Sequence, residues 1–147
     1  MENKSKNITV VMGGSFNPPT PAHLKLMCAA IDAVGAVRGV FVPSSHEYVS
    51  KKMTKSGSND AVIPEKIRFE MLRVMSADDH RLVVDDMEFH CSEGRYTYET
   101  LVEISEKYPD DRIYFLAGGD KVDIFPRWHR IEELLARFCI ITVKKRK

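Results

Sequence analysis

The sequence has no surplus of charge: 22 Lys and Arg stand against 21 Asp and Glu, a formal net charge of +1. No global field therefore draws the chain to nucleic acid or to an anionic membrane, and any anion specificity must be local. No stretch approaches the ~20 apolar residues that cross a bilayer, and the polar segment Met1–Asn7 has no apolar segment behind it of the kind that makes a secretory signal. Cysteine is scarce. Cys28, Cys91 and Cys139 lie far apart, odd in number and without a CxxC pair, which excludes a disulfide framework and suits a reducing compartment. Cys91 follows His90, but adjacent candidate ligands without a second pair do not make a zinc site, so no structural metal is expected and the thiols read as small buried hydrophobes. Glycine and proline, at 8 and 7 residues, are too few for a collagen-like or low-complexity chain. A soluble cytoplasmic protein is expected, without nucleic-acid or membrane partners; self-association into a homo-oligomer stays open.

What is present suffices for one core. With 147 residues, 44% apolar and 29% charged, the chain should bury roughly two-thirds of its unfolded surface as a single domain over residues 1–147. Ile8–Met12 is a short β-branched run ended by Gly13 and Gly14, the pattern of a buried strand. Thr20 and Pro21 offer an N-cap and first residue for a helix to about Val34, with Leu24, Met27, Cys28 and Ile31 on one face and Gly35 beyond its end. Gly39–Val42 reads as a second strand, and the polar residues from Ser44 to Val62 as a long surface loop. Pro64 and Glu65 open a helix whose apolar face is Ile67, Met71, Leu72 and Met75. A strand at Leu82–Val84, a helix over Glu99–Lys107 capped by Thr97, and a strand at Ile113–Ala117 follow; short helices near Asp120–Ile124 and Ile131–Arg137 lead to a last strand at Phe138–Val143. Strands alternating with helices imply a Rossmann-like α/β sandwich, with a parallel five-stranded sheet covered on both faces. Ligands in such sheets bind beyond the carboxyl ends of the strands, where strand order reverses.

Chemistry concentrates in Gly13-Gly14-Ser15-Phe16-Asn17-Pro18-Pro19-Thr20-Pro21-Ala22-His23-Leu24. Small residues with free N–H groups at a strand's end, followed by a helix N-terminus, form a site for phosphate. The string contains neither the P-loop nor the Gly-x-Gly-x-x-Gly dinucleotide pattern. Thr20 can cap the helix or donate its hydroxyl to phosphate, and His23 in the first turn can donate from its ring. His46, His80 and His90 have no such surroundings in the sequence and read as structural or solvated.

That string resembles the opening motif of the nucleotidylyltransferase superfamily, in which a Gly-(Gly)-(Ser/Thr)-Phe-(Asp/Asn)-Pro segment runs into (His/Thr)-x-Gly-His. Three further blocks, Tyr96-Thr97-Tyr98-Glu99-Thr100-Leu101, Phe115-Leu116-Ala117-Gly118-Gly119-Asp120 and Phe125-Pro126-Arg127-Trp128, are similar to the nicotinate-nucleotide adenylyltransferase family and occur in that family's order. The resemblance implies the nucleotidylyltransferase fold and transfer of the AMP part of ATP to a pyridine mononucleotide, in the biosynthesis of NAD, with Mg2+ bridging ATP phosphates. It implies that His23 and Thr20 act on the α-phosphate, and that Gly14, Ser15, Phe16 and His23 hold ATP phosphates while Gly118 and Asp120 hold the adenosine half. It implies that Lys51 or Lys52 meets the mononucleotide phosphate, that Thr97 faces the nicotinate end and that Trp128 stacks on the pyridine ring. The residues leave plainer roles open: an N-cap for Asp120, core packing for Trp128, a solvated pair for the lysines.

Ala22 replaces the motif glycine, and the Ser-(Ser/Thr)-Thr-x-x-Arg segment that these enzymes carry after the fifth strand is expected to be missing after about residue 143, where Lys144–Lys147 reads as a solvated end. Two other functions remain compatible with this reading: the same transfer to another phosphorylated acceptor, such as nicotinamide mononucleotide or phosphopantetheine, or a nucleotide-binding module without turnover.

Overall fold

The computed structural model describes residues 7–57, 61–91, 96–118 and 128–143. Its strands are β1 (Ile8–Gly14), β2 (Arg38–Pro43), β3 (Leu82–Val84), β4 (Arg112–Gly118) and β5 (Cys139–Val143), and its helices α1 (Pro21–Val34), α2 (His46–Lys55), α3 (Glu65–Met75), α4 (Thr97–Lys107) and α5 (Ile131–Arg137). All neighbouring strands pair in parallel, in the order β3-β2-β1-β4-β5. The chain steps outward from β1 to β2 and β3, then returns to the other side of β1 for β4 and β5. Strand order therefore reverses between β1 and β4, paired in the register Val11↔Phe115, and the crevice beyond their carboxyl ends is the expected ligand position.

Thr9, Val10, Val11 and Met12 are all buried, as a central strand with both faces covered requires. Successive side chains point to opposite faces. Val10, Met12, Phe41 and Leu116 join Met27, Ala30 and Ile31 of α1 and Leu72 of α3 on one side; Val11, Val40, Ile113 and Phe115 join Leu101 and Ile104 of α4 and Leu134 of α5 on the other. At Gly39 a Cβ would lie 2.7 Å from Ile31 Cδ1 and 2.8 Å from Met27 Sδ, so the missing side chain lets α1 lie close against β2. Gly35 ends α1 at φ 68°, a conformation that glycine takes without steric cost.

Several expectations are corrected. Residues 44–62 are not all loop, because they contain α2, whose N-cap Ser45 accepts a hydrogen bond from the Tyr48 N–H at 3.1 Å. On α3 the residues turned inward are Arg68 and Leu72, while Ile67 and Met71 are 52% and 36% exposed. Thr97 does not cap α4; it is the first helical residue, and Tyr96 holds the cap position. No cysteine is buried: Cys28 and Cys91 are half-buried and Cys139 is exposed on the outer strand β5. A 3-10 turn at Met87–His90 was not anticipated, and the helix expected near Asp120–Ile124 lies outside the described residues. No helix among the described residues is long and apolar enough to cross a membrane.

Candidate functional site

At the end of β1 the chain turns through Phe16, whose φ of 48° is a left-handed conformation that a bulky side chain rarely adopts. Surrounding contacts hold it there. The Phe16 ring is buried, edge-on to Phe41 at 5.7 Å and to His23 at 4.9 Å between centroids. The Ser44 N–H donates to Gly14 O at 2.9 Å, joining the carboxyl ends of β1 and β2.

The start of α1 fixes His23. Thr20 is extended (φ −126°, ψ 162°) and Pro21 supplies a preset φ at the first helical position. The Thr20 N–H then donates to His23 Nδ1 at 2.9 Å, so the ring fills the place that Glu or Gln takes in a capping box. A peptide N–H can only donate, so Nδ1 presents its lone pair and the ring proton of the neutral imidazole resides on Nε2. The Thr20 hydroxyl oxygen lies 3.2 Å from the same Nδ1. Burial lowers the His23 pKa from the ordinary 6.5, which favours the neutral ring. The result is one oriented N–H donor on a ring that packs against Phe16 of the turn after β1.

A cleft opens next to that turn. Its walls are Gly13, Gly14 and Ser15 from β1, Ser44 and Ser45 beyond β2, Tyr48 and Lys52 of α2, Glu88 of the 3-10 turn, Thr97 and Thr100 of α4, Phe115 of β4, and Trp128. Phe115 and Trp128 meet edge to face at 6.0 Å, forming an aromatic wall. Thr100 Oγ1 donates to Glu88 Oε2 at 3.2 Å, and both residues are buried. Tyr48 and Lys52 stand four residues apart and share a helix face; Lys51, a third of a turn away, lines an outer depression with Ser50, Thr54 and Lys55, which Tyr48 and Lys52 also border. The arrangement offers peptide N–H groups, hydroxyls and a lysine to anionic oxygens, and an aromatic surface to a flat ring.

Of the residues singled out from the sequence, Gly14, Ser15, Lys52, Thr97 and Trp128 share this cleft. Phe16, Thr20 and His23 are not among the cleft's lining residues; Phe16, in the turn, packs edge-on against His23, whose Nδ1 accepts from the Thr20 N–H. Lys51 is not among the cleft residues. Gly118 ends β4, its backbone paired with Val143, and Asp120 lies outside the described residues. Sequence reasoning missed Ser44, Ser45, Tyr48, Glu88 and Thr100. For the serines a signal existed, since they directly follow a buried strand at its carboxyl end, where parallel sheets place their ligands. Among the described residues no group of three or more His, Cys, Asp or Glu side chains could hold a metal ion.

Residues 11–146 match the family described as cytidylyltransferase-like. A curated relative from Geobacillus thermodenitrificans, named a probable nicotinate-nucleotide adenylyltransferase, is 30% identical over 135 residues, covering 92% of this chain and 59% of the relative. One of the same name from Lachnoclostridium phytofermentans is 34% identical over 131 residues, covering 89% and 62%. The chain thus spans about three-fifths of the length of these relatives. Among solved structures, the Plasmodium falciparum nicotinic acid mononucleotide adenylyltransferase complexed with NaAD superposes with a TM-score of 0.67 at 19% identity, covering 96% of this chain and 77% of that one. The same enzyme complexed with APC gives 0.66 at 20% identity, covering 97% and 77%. At these identities the superpositions show a shared fold.

Proposed function

The chain belongs to the cytidylyltransferase-like family, and from that membership we propose that it transfers the adenylyl group of ATP to nicotinate mononucleotide in the biosynthesis of NAD. The reaction forms nicotinate adenine dinucleotide and releases pyrophosphate. A single nucleotidylyltransferase domain carries the chemistry. Two kinds of support meet here: the names of relatives about 30% identical, and the observation that carries the reading, the His23 ring fixed at the start of α1 by the Thr20 N–H on Nδ1 and packed against Phe16 of the turn after β1.

The chemistry asks little proton transfer of the protein. A mononucleotide phosphate is largely deprotonated near neutral pH, so its oxygen attacks the α-phosphorus without a general base, the new P–O bond forming as the bond to the pyrophosphate oxygen breaks. Catalysis reduces to alignment and to stabilising charge on the α-phosphate oxygens. His23 Nε2–H donates to one of these oxygens and keeps its proton throughout. Thr20 orients the ring. The N–H groups of Gly14, Ser15 and Phe16 face the phosphates, and Gly118 and Asp120 hold the adenosine half. Lys52 meets the mononucleotide phosphate, and Thr97 and Trp128 receive the nicotinate ring, which stacks against the indole.

The donors at the cleft are hydroxyls, peptide N–H groups and a lysine, a set suited to Mg2+ that arrives on the triphosphate. Carried in on the triphosphate, such an ion would supply neutralisation of phosphate charge, while these residues would hold the phosphates themselves.

The test is incubation with Mg-ATP and nicotinate mononucleotide, with the dinucleotide measured by chromatography. Product should form, preferentially over nicotinamide mononucleotide and phosphopantetheine, and His23→Ala should lower kcat by about 10²–10³, the range for losing one transition-state donor. Equal turnover by the variant would remove the role of His23. Tight ATP binding with no product would instead favour a binding module.

A further inference from the structure

Arg68 is the largest fully buried side chain of the described residues, and the transfer reaction as derived does not use it. Its guanidinium is always charged. It donates from Nη1 to Ser15 O at 2.8 Å and from Nε to Ile63 O at 2.9 Å, and among the described residues its buried Nη2 has no hydrogen-bond partner. No carboxylate among the described residues forms an ion pair with it. Asn17 binds the same two segments together, donating from Nδ2 to Ala61 O at 3.1 Å and accepting from the Ile63 N–H at 2.7 Å.

Such a group is a poor stabilising device. A buried charge hydrogen-bonded to carbonyls alone among the described residues, with one nitrogen unsatisfied and Glu65 acting only through its field, is less favourable to folding than a packed hydrophobe of similar volume. Its position suggests another purpose. The bond to Ser15 O fixes the direction of the Ser15–Phe16 peptide, and because C=O and N–H of a trans peptide point oppositely, drawing the carbonyl toward Arg68 turns the Phe16 N–H away from it. The same bond braces the left-handed Phe16, a conformation that persists only where its surroundings over-determine it. The positive charge also lies directly behind the turn, in surroundings that screen it weakly.

We propose that Arg68 is a positioning residue for the phosphate turn: it orients the Ser15–Phe16 peptide and supplies positive potential beneath it, so that the turn holds the phosphates of a nucleotide. The consequence for turnover rests on the adenylyl-transfer reading; the consequence for anion binding does not. Arg68→Met removes charge and donors at similar volume, whereas Arg68→Lys keeps the charge but cannot fork to both carbonyls.

The experiment is calorimetry of Mg-ATP and of adenosine against the wild type and both variants, with circular dichroism to confirm folding. Arg68→Met should weaken Mg-ATP binding about tenfold or more and Arg68→Lys by less, with adenosine affinity within about twofold of wild type in each. A purely structural role would weaken both ligands together, and that result, or unchanged Mg-ATP affinity in a folded Arg68→Met, overturns the proposal. If neither variant folds, the wild type decides: the Arg68 Nε resonance should shift on adding inorganic pyrophosphate and not on adding adenosine, and an unmoved resonance counts against it. Wild type that binds pyrophosphate with that shift but makes no dinucleotide would sink the functional reading and leave the Arg68 proposal standing.

Discussion

His23 shows how one backbone bond determines a side chain's chemistry. With the Thr20 N–H on Nδ1, the neutral ring has a single donor position, and protonating Nδ1 would set two N–H groups against each other. The nitrogen spectrum of the free protein should therefore show the Nε2–H form of His23, titrating below 6.5; an Nδ1–H tautomer, or a raised titration point, would contradict this. The linkage has a definite sign. Because folding lowers this pKa, the contribution of neutral His23 to stability is present above the unfolded value and is lost as pH falls through the lower folded one. The sequence made His23 visible through its motif, whereas its tautomer depends on Thr20 being extended at an N-cap, a feature of the folded chain. Arg68 was hidden for another reason: its neighbours Ile67 and Met71 suggested an apolar face, yet it is the arginine that points inward, drawn by the nearby Ile63 carbonyl and by that of Ser15, distant in sequence.

Helix α2 was the element least legible in the sequence. Its only buried residue is Val49, so it has no apolar stripe to find by periodicity. Its signals are local: Ser45 at the N-cap, Glu47 in the first turn, and Lys52 and Lys55 in the last, each favourable to the helix dipole. Ser45→Ala should cost about 1 kcal/mol in urea denaturation. Because the helix carries Tyr48 and Lys52 into the cleft, the variant should raise KM for the mononucleotide more than it lowers kcat. An unchanged KM would separate α2 from the site. By contrast, α1 and β1 were legible because apolar spacing, capping residue and terminal glycine agree at every step.

For the whole molecule, alternating strand and helix signals were enough to indicate a parallel sheet, and the order β3-β2-β1-β4-β5 puts the glycine turn of β1 at the reversal point. What the pattern could not supply was how closely the layers approach. Gly39 marks that distance: a Cβ there would press on Ile31 and Met27, both in the core. Gly39→Ala should destabilise the fold by about 1–2 kcal/mol, seen as a lower Tm, and slow the reaction as well, because α1 carries His23 in its first turn. Loss of stability with undiminished kcat would show that His23 does not depend on this packing.

The most direct measurement is a crystal structure of the protein with Mg2+ and a non-hydrolysable ATP analogue. The account predicts the nucleotide across the carboxyl ends of β1 and β4, with His23 Nε2 about 3 Å from an α-phosphate oxygen and Nδ1 still on the Thr20 amide. A nucleotide bound elsewhere, or an imidazole turned away from phosphorus, would contradict it.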